Sequence, residues 1–152
     1  MSGALRIRRA RAEDVETILS LMTAAATDPD REAGGTPQDY AGAFATIDAD
    51  PNQLLAVAEI DGAGMVGTLQ LTFVPGLARR GGWRLLIESV HVDARFRSHG
   101  HGATMMAWAL AEGRRRGCVL AQLTSHKSRA EAHRFYERLG FTATHEGFKA
   151  PL

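Results

Sequence analysis

Three observations predict an α+β fold built on one mixed sheet with helices on both faces. Short runs of period-two alternation are interleaved with longer runs at helical spacing. An Asp61-Gly62 pair between two apolar strand runs marks a hairpin, hence antiparallel pairing in mid-chain. From Trp83 to Thr124 the order is strand, helix, strand, which needs a crossover and therefore a parallel pair. The predicted order is β-α-α-β-β-β-α-β-α-β.

Leu5 to Ala10 alternates Leu5 and Ile7 with Arg6 and Arg8, as a half-exposed strand does. Val15, Ile18, Leu19 and Met22 then recur at helical spacing. Glu13, Asp14 and Glu16 stand at that helix's first turn, the end its macrodipole makes favourable for acids. Thr27 to Thr36, rich in Asp, Gly and Pro, reads as a loop, and Tyr40 to Ile47 as a short helix. Gln53 to Ile60 and Met65 to Val74 are the two strands of the hairpin, followed by a loop from Pro75 to Gly82. Trp83 to Val92 is apolar and strand-like, with Glu88 in its middle. Ala103 to Arg116 predicts a helix stopped by Gly117, with Arg114, Arg115 and Arg116 at its dipole-favoured end. Val119 to Thr124 reads as a short buried strand. Ser128 to Leu139 reads as a helix opened by the capping-box pattern Ser128-Arg129-Ala130-Glu131 and stopped by Gly140. A last strand region begins at Phe141, and no internal repeat is present.

A chain of 152 residues suits a single domain over 1–152, and 45% hydrophobic with 23% charged residues excludes long disorder. Cys118 is the one cysteine, so no intramolecular disulfide forms, which predicts a reducing cytoplasm. No run approaches the roughly 20 apolar residues of a membrane span. Arg6, Arg8 and Arg9 stand where a secretory leader would need an apolar stretch, so none is predicted. The net charge of +1 is uneven: residues 1–76 carry 5 basic and 11 acidic residues, residues 77–152 carry 13 and 6. The basic half suggests an anionic ligand there, or simply two mixed-charge surfaces that meet in the fold. A nucleic-acid partner is not predicted, because neither a high overall charge nor interleaved aromatics are present.

The most informative stretch is Arg97-Ser98-His99-Gly100-His101-Gly102-Ala103, between a strand and a helix. Glycines let a ligand approach backbone closely, and the free amides of a helix N-terminus suit phosphate. The stretch is not a Walker loop, since no Gly-Lys-Ser/Thr follows. It is not a dinucleotide fingerprint either, since Met105 stands at the third glycine. Alone, it is equally a tight strand-to-helix turn.

Arg97-x-x-Gly100-x-Gly102-Ala103 resembles the Arg/Gln-x-x-Gly-x-Gly/Ala signature of the GCN5-related N-acetyltransferases. Ile87-Glu88-Ser89-Val90-His91-Val92 is similar to that family's fourth strand, and Ala132 to Phe141, with its Phe135-Tyr136 and Gly140-Phe141 pairs, to its last helix. The resemblance implies that family's fold, an acetyl-CoA cosubstrate, direct transfer in a ternary complex and a homodimer. It implies that Val90 and Val92 offer backbone groups to the pantetheine arm. The amides of Ser98, Gly100, Gly102 and Ala103, with Arg97, hold the pyrophosphate. His91, His99, His101, Arg129 and Phe135 count among the cofactor's neighbours. Arg129 stands where the family often has Asn, so it either meets a CoA phosphate or is solvated. The strands from Trp83 and Val119 are expected to splay apart.

Acyl transfer to an amine needs a base, an oxyanion donor and an acid for the departing thiolate. Glu88 is the candidate base. On an alternating strand it shares a face with Leu86, Val90 and Val92, with His91 opposite, so desolvation and a raised pKa are expected. The alternative is a Glu facing solvent or paired with Arg. Tyr136 resembles the family's thiolate-protonating tyrosine, or is a core aromatic beside Ala132, Phe135 and Leu139. An amide near Val90 is the candidate oxyanion donor. His99 and His101 flank Gly100, but two His do not make the three or four ligands of a metal site, so no metal is predicted. Cys118 reads as a small core residue, and Met105, Met106 and Trp108 as core.

Arg79 and Arg80, with Trp83, precede the Glu88 strand and could clamp an anionic group on the acceptor, or form a solubilising loop. The C-terminal half resembles aminoalkylphosphonate and similar small-amine acetyltransferases. The sequence therefore predicts an N-acetyltransferase acting on a small-molecule primary amine. A protein lysine or N-terminus as acceptor, and a non-catalytic acetyl-CoA-binding module, are the alternatives.

Overall fold

The computed structural model describes residues 3–152; Met1 and Ser2, included in the single-domain expectation, lie outside the described residues. Two units are described in turn, one running to Gln122 and the other from Leu123 to Leu152.

The first unit is a five-stranded mixed sheet in the order β1-β2-β3-β4-β5. The strands are β1 (Leu5–Arg9), β2 (Gln53–Ile60), β3 (Gly64–Val74), β4 (Trp83–Val92) and β5 (Cys118–Gln122). The first three pairings are antiparallel and β4–β5 is parallel, as the hairpin and the crossover require. Between them lie α1 (Val15–Ala24), α2 (Pro37–Ala49), the one-turn α3 (Ala78–Gly81) and α4 (His101–Arg115).

Helices cover both faces. On one, Ile18 and Met22 of α1 and Phe44 of α2 pack with Val57 and Leu55. On the other, α4 buries Met105 and Met106. Gly67 sits on the α4 face, and a Cβ there would lie 2.7 Å from the Met105 sulfur and 3.0 Å from the His91 carbonyl oxygen. A side chain at position 67 would therefore push the helix off the sheet.

Charge enters the core at one point. Asp14 is only 7% exposed, and both its oxygens accept from the Arg8 guanidinium, at 2.7 and 3.0 Å. Glu59, opposite Arg6 on the neighbouring strand, also takes Arg8. Asp14 also accepts the Arg11 amide at 2.7 Å. The Arg8 guanidinium holds the Asp14 and Glu59 carboxyls below their ordinary range. Asp14 thus serves as a buried ion-pair partner as well as a favourable acid at a helix start.

Several boundaries differ from expectation for local reasons. Helix α2 begins at Pro37, because Thr36 and Asp39 cap it reciprocally and Pro stands in its first turn. The loop from Pro75 contains α3, in which Arg79 and Arg80 have φ of 57° and 59°. Strand β5 is not buried: it pairs with β4 alone, and Val119 is 60% exposed.

In the second unit, α5 (Ala130–Arg138) begins two residues later than the capping-box pattern suggests. Ser128 does not cap it, because Arg129 takes the N-cap position and Ser128 lies one residue outside it, where its hydroxyl donates to Nδ1 of His126 at 2.7 Å. The strand expected from Phe141 does not form. Residues 142–152 are exposed and join no ladder, and a strand without a ladder leaves its backbone to water.

Candidate active site

The site is built from β4 and from the turn that leads to α4. Strand β4 pairs with β5 only from Trp83 to Leu86, where Leu86 meets Gln122. From Ile87 to Val92 it runs on past the end of β5 at Gln122, so one backbone edge of this stretch carries no β5 ladder.

On its other edge, β4 pairs with β3 through a bulge. Gln70 faces Glu88 and Thr68 faces His91, so one residue of β3, Leu69, stands opposite two of β4, Ser89 and Val90. Ser89 absorbs the extra residue with φ of 52°. A one-residue insertion reverses the alternation beyond it. Glu88 and His91 therefore share the α1 face, whereas Val92, opposite Gly67, lies on the α4 face. The expected face of Leu86, Glu88, Val90 and Val92 is broken at Ser89, and His91 is not opposite Glu88. Glu88 is exposed rather than buried, so the desolvation anticipated for it is absent. Its carboxylate makes no hydrogen bond or ion pair to any described residue.

The turn after β4 is tied at both ends. Asp93 accepts from the Arg95 amide and guanidinium, which holds its carboxyl down at about 2. Arg97 donates from Nε to the Val92 carbonyl at 3.2 Å, which leaves its two terminal nitrogens for a ligand. His99 donates from Nδ1 to the Arg97 carbonyl at 2.7 Å. Ser98 and Gly100 have φ of 64° and 80°, and Gly100 is the residue before α4. Helix α4 starts at His101, two residues before expectation, so His101, Gly102 and Ala103 are its first turn. Their amides have no carbonyl partner within the helix, the arrangement that receives phosphate. Side chains of His99 and His101 stack, with centroids 6.0 Å apart. Among the described residues no group of three His, Cys, Asp or Glu is gathered to hold a metal.

Arg79, Arg80 and Trp83 are not brought to Glu88. Trp83 opens β4 five residues earlier, roughly 16 Å away along the strand at ~3.3 Å per residue. The register puts Arg84, opposite Val74, on the Glu88 face and Trp83 on the other. Cys118 is half-buried, and burial pushes its thiol pKa up, away from thiolate chemistry.

In the second unit, Tyr136 is half-buried between Phe135 and Phe141, whose ring centroids lie 5.2 and 6.0 Å away. Burial raises its phenol, partly offset by Arg129. Its hydroxyl has no hydrogen-bond partner among the described residues. Arg129 stands at the N-cap of α5 and His133 donates from Nε2 to the His126 carbonyl.

Residues 15–141 match the model of the acetyltransferase (GNAT) family. The chain belongs to that family. Aminoalkylphosphonate N-acetyltransferase of Salmonella typhimurium is 29% identical over 149 residues, spanning 96% of this chain and 90% of the relative. A Bacillus halodurans protein solved as a transcriptional regulator is 38% identical with a TM-score of 0.89, covering 98% of this chain and 100% of its own. A Clostridium acetobutylicum acetyltransferase solved with acetyl-CoA shares the fold at 18% identity and a TM-score of 0.77, covering 97% and 96%. The GNAT fold predicted from the motifs is thus the fold observed.

Sequence reading missed two features of this GNAT site. The Ser89 bulge leaves no local signature, because serine is not a turn-forming outlier by composition. The polar row on the Glu88 face, Gln53, Gln70 and Thr72, lies on two other strands and becomes visible only with the register.

Proposed function

We propose that this protein, acting as one domain over 1–152, transfers an acetyl group from acetyl-CoA to the primary amine of a small molecule, with both substrates bound together. The observation that carries this reading is the β4 segment beyond Leu86. It has an edge without β5 pairing, a bulge beside an uncommitted glutamate, and at its end a helix start with free amides.

Those features fit acetyl-CoA residue by residue. The free edge at Val90 and Val92 suits an amide-bearing arm such as pantetheine. The amides of Gly102 and Ala103, with Ser98, Gly100 and the terminal nitrogens of Arg97, suit a pyrophosphate. His99, His101, Arg129 and Phe135 are assigned to the cofactor's periphery, and His91 to packing beside Thr68. When bound, acetyl-CoA supplies the thioester and a thiolate leaving group.

Glu88 takes a proton from the acceptor's ammonium, directly or through water, which frees the nitrogen lone pair for attack at the thioester carbon. As the carbon–sulfur bond breaks, Tyr136 gives its phenolic proton to the sulfur. A phenol raised by burial stays protonated at neutral pH, as an acid must. A backbone amide freed by the bulge near Val90 faces the developing oxyanion.

A small amine is favoured over a peptide by the aminoalkylphosphonate N-acetyltransferase relative. Arg79 and Arg80 stand in α3, before Trp83 and beyond the end of β4 remote from Glu88, and act as a solvated turn rather than as a clamp on the anionic end of so short an acceptor. The test is thiol release from acetyl-CoA against aminoalkylphosphonates, amino acids, polyamines, aminoglycosides and a lysine peptide. Turnover of one small-amine class is expected, with Glu88→Gln losing about 10²-fold in kcat/KM. Preference for the peptide would overturn the acceptor class. Tight acetyl-CoA binding without any turnover would favour a non-catalytic binder.

A further inference from the structure

The α1 face of the sheet carries a polar row where its neighbours are apolar. Gln53 Oε1 accepts two hydrogen bonds, from Gln70 Nε2 at 2.9 Å and from the Thr72 hydroxyl at 3.0 Å. All three side chains are half-buried, next to Leu55, which pairs with Gln70 across β2 and β3. Gln70 in turn pairs with Glu88 across β3 and β4.

These contacts fix the Gln70 amide. Its nitrogen is held by Gln53, so its carbonyl oxygen is the open end, and that oxygen has no partner among the described residues. A directly opposed cross-strand pair has Cβ atoms about 5 Å apart. Gln70 and Glu88 therefore project from the same face of adjacent strands, each with an acceptor oxygen that no described residue engages. The Gln70 oxygen is open to water, so a ligand N–H can take the place of solvent there without leaving an acceptor unpaired.

We propose that Gln70 and Glu88 together bind the acceptor's ammonium group, with Gln53 and Thr72 positioning Gln70. This rests on the reading of Glu88 as the base. An ammonium carries three N–H donors on one nitrogen. Glu88 accepts one and takes that proton. Gln70 accepts a second and, being neutral, keeps it as a hydrogen bond after the first has gone. The nitrogen stays anchored while its new lone pair turns toward the thioester. The pair prefers a primary ammonium, since each alkyl group on nitrogen removes a donor.

The test is steady-state kinetics with acetyl-CoA and 2-aminoethylphosphonate, for the unsubstituted protein and for Gln70→Leu, Gln70→Asn, Gln53→Leu and Glu88→Gln. Gln70→Leu and Gln70→Asn are expected to raise the acceptor KM about tenfold, the loss of one hydrogen bond to a charged group. The acetyl-CoA KM should stay within about twofold for both, which a merely structural role of Gln70 would not produce. Gln53→Leu should raise the acceptor KM less, because it only loosens Gln70. An unchanged acceptor KM in both Gln70 variants, with kcat lost in Glu88→Gln, would overturn the proposal and leave the base intact. Should Gln70→Leu fail to fold, Gln70→Asn decides alone. Full activity in Glu88→Gln, or no turnover by the unsubstituted protein, would overturn the reading on which the proposal rests.

Discussion

Glu88 and His91 lie on the same face of β4, although an odd number of steps along a regular strand would put them on opposite faces. The cause is one residue, Ser89, whose positive φ inserts an extra position opposite β3. A left-handed conformation costs a non-glycine residue about 1–2 kcal/mol, and a β-branched residue more. Ser89→Gly should therefore keep or raise the thermal midpoint, and Ser89→Val should lower it by the equivalent of about 2 kcal/mol while reducing kcat. Calorimetry beside turnover checks both. A Ser89→Val protein with unchanged stability and rate would show that the bulge can shift without consequence.

The same bulge marks the limit of what the sequence discloses. Hairpin, crossover and helix spans were legible because each follows from local periodicity and turn residues: Gln53 to Ile60 and Trp83 to Val92 match the observed strands residue for residue. The Arg97 to Ala103 turn was legible because glycine spacing is itself the signal. Side-chain facing beyond Ser89 was not, since register is a property of two strands. The burial expected of β5 fails because an apolar run does not say whether it will be an edge. The Ser128 capping pattern fails because Arg129, not Ser128, stands at the N-cap of α5. Asp14 looked like an ordinary first-turn acid until Arg8 and Glu59 were brought beside it.

That ion-pair cluster predicts acid lability. Asp14 and Glu59 have folded pKa values lowered chiefly by hydrogen bonds from Arg8, below the unfolded range of about 4. Stability from such groups is fully present above the unfolded value and is lost as pH falls through the folded one. Asp14→Asn should cost about 2–3 kcal/mol at neutral pH and flatten the acid limb of the thermal midpoint. Melting curves from pH 7 down to about pH 3 measure this. A parallel acid limb in the variant would mean that other carboxylates set it.

Two glycines should fail in different ways. Gly67 lacks room: a Cβ would meet Met105 and the His91 carbonyl. Gly67→Ala should lower stability by about 1–3 kcal/mol through overpacking. Gly100 has open space, with nothing within 4 Å of its Cβ position, but φ of 80°. Gly100→Ala should change stability by only about 1 kcal/mol, yet raise the acetyl-CoA KM several-fold, because relaxing φ tilts the first amides of α4. The acceptor KM should not follow. Equal acetyl-CoA KM values for both variants would detach the α4 start from acetyl-CoA binding.

Tyr136 separates packing from chemistry more cleanly, since Tyr136→Phe keeps the ring and removes only the hydroxyl. The contacts with Phe135 and Phe141 involve the ring, so the thermal midpoint should barely move. If the phenol protonates the leaving thiolate, kcat should fall by about 10²-fold with little change in the acetyl-CoA KM. The pH profile gives a second readout. Burial raises this phenol above its ordinary value of about 10, so the proton is held throughout the range below it. Tyr136 should therefore impose no alkaline fall in kcat below about pH 10 in the unsubstituted protein. A thioester of a more acidic thiol, whose thiolate holds the departing electron pair better, needs less help from an acid, and the gap between Tyr136→Phe and the unsubstituted protein should narrow with it. An undiminished kcat in Tyr136→Phe with acetyl-CoA itself would make Tyr136 a packing residue of α5 and leave water as the proton source.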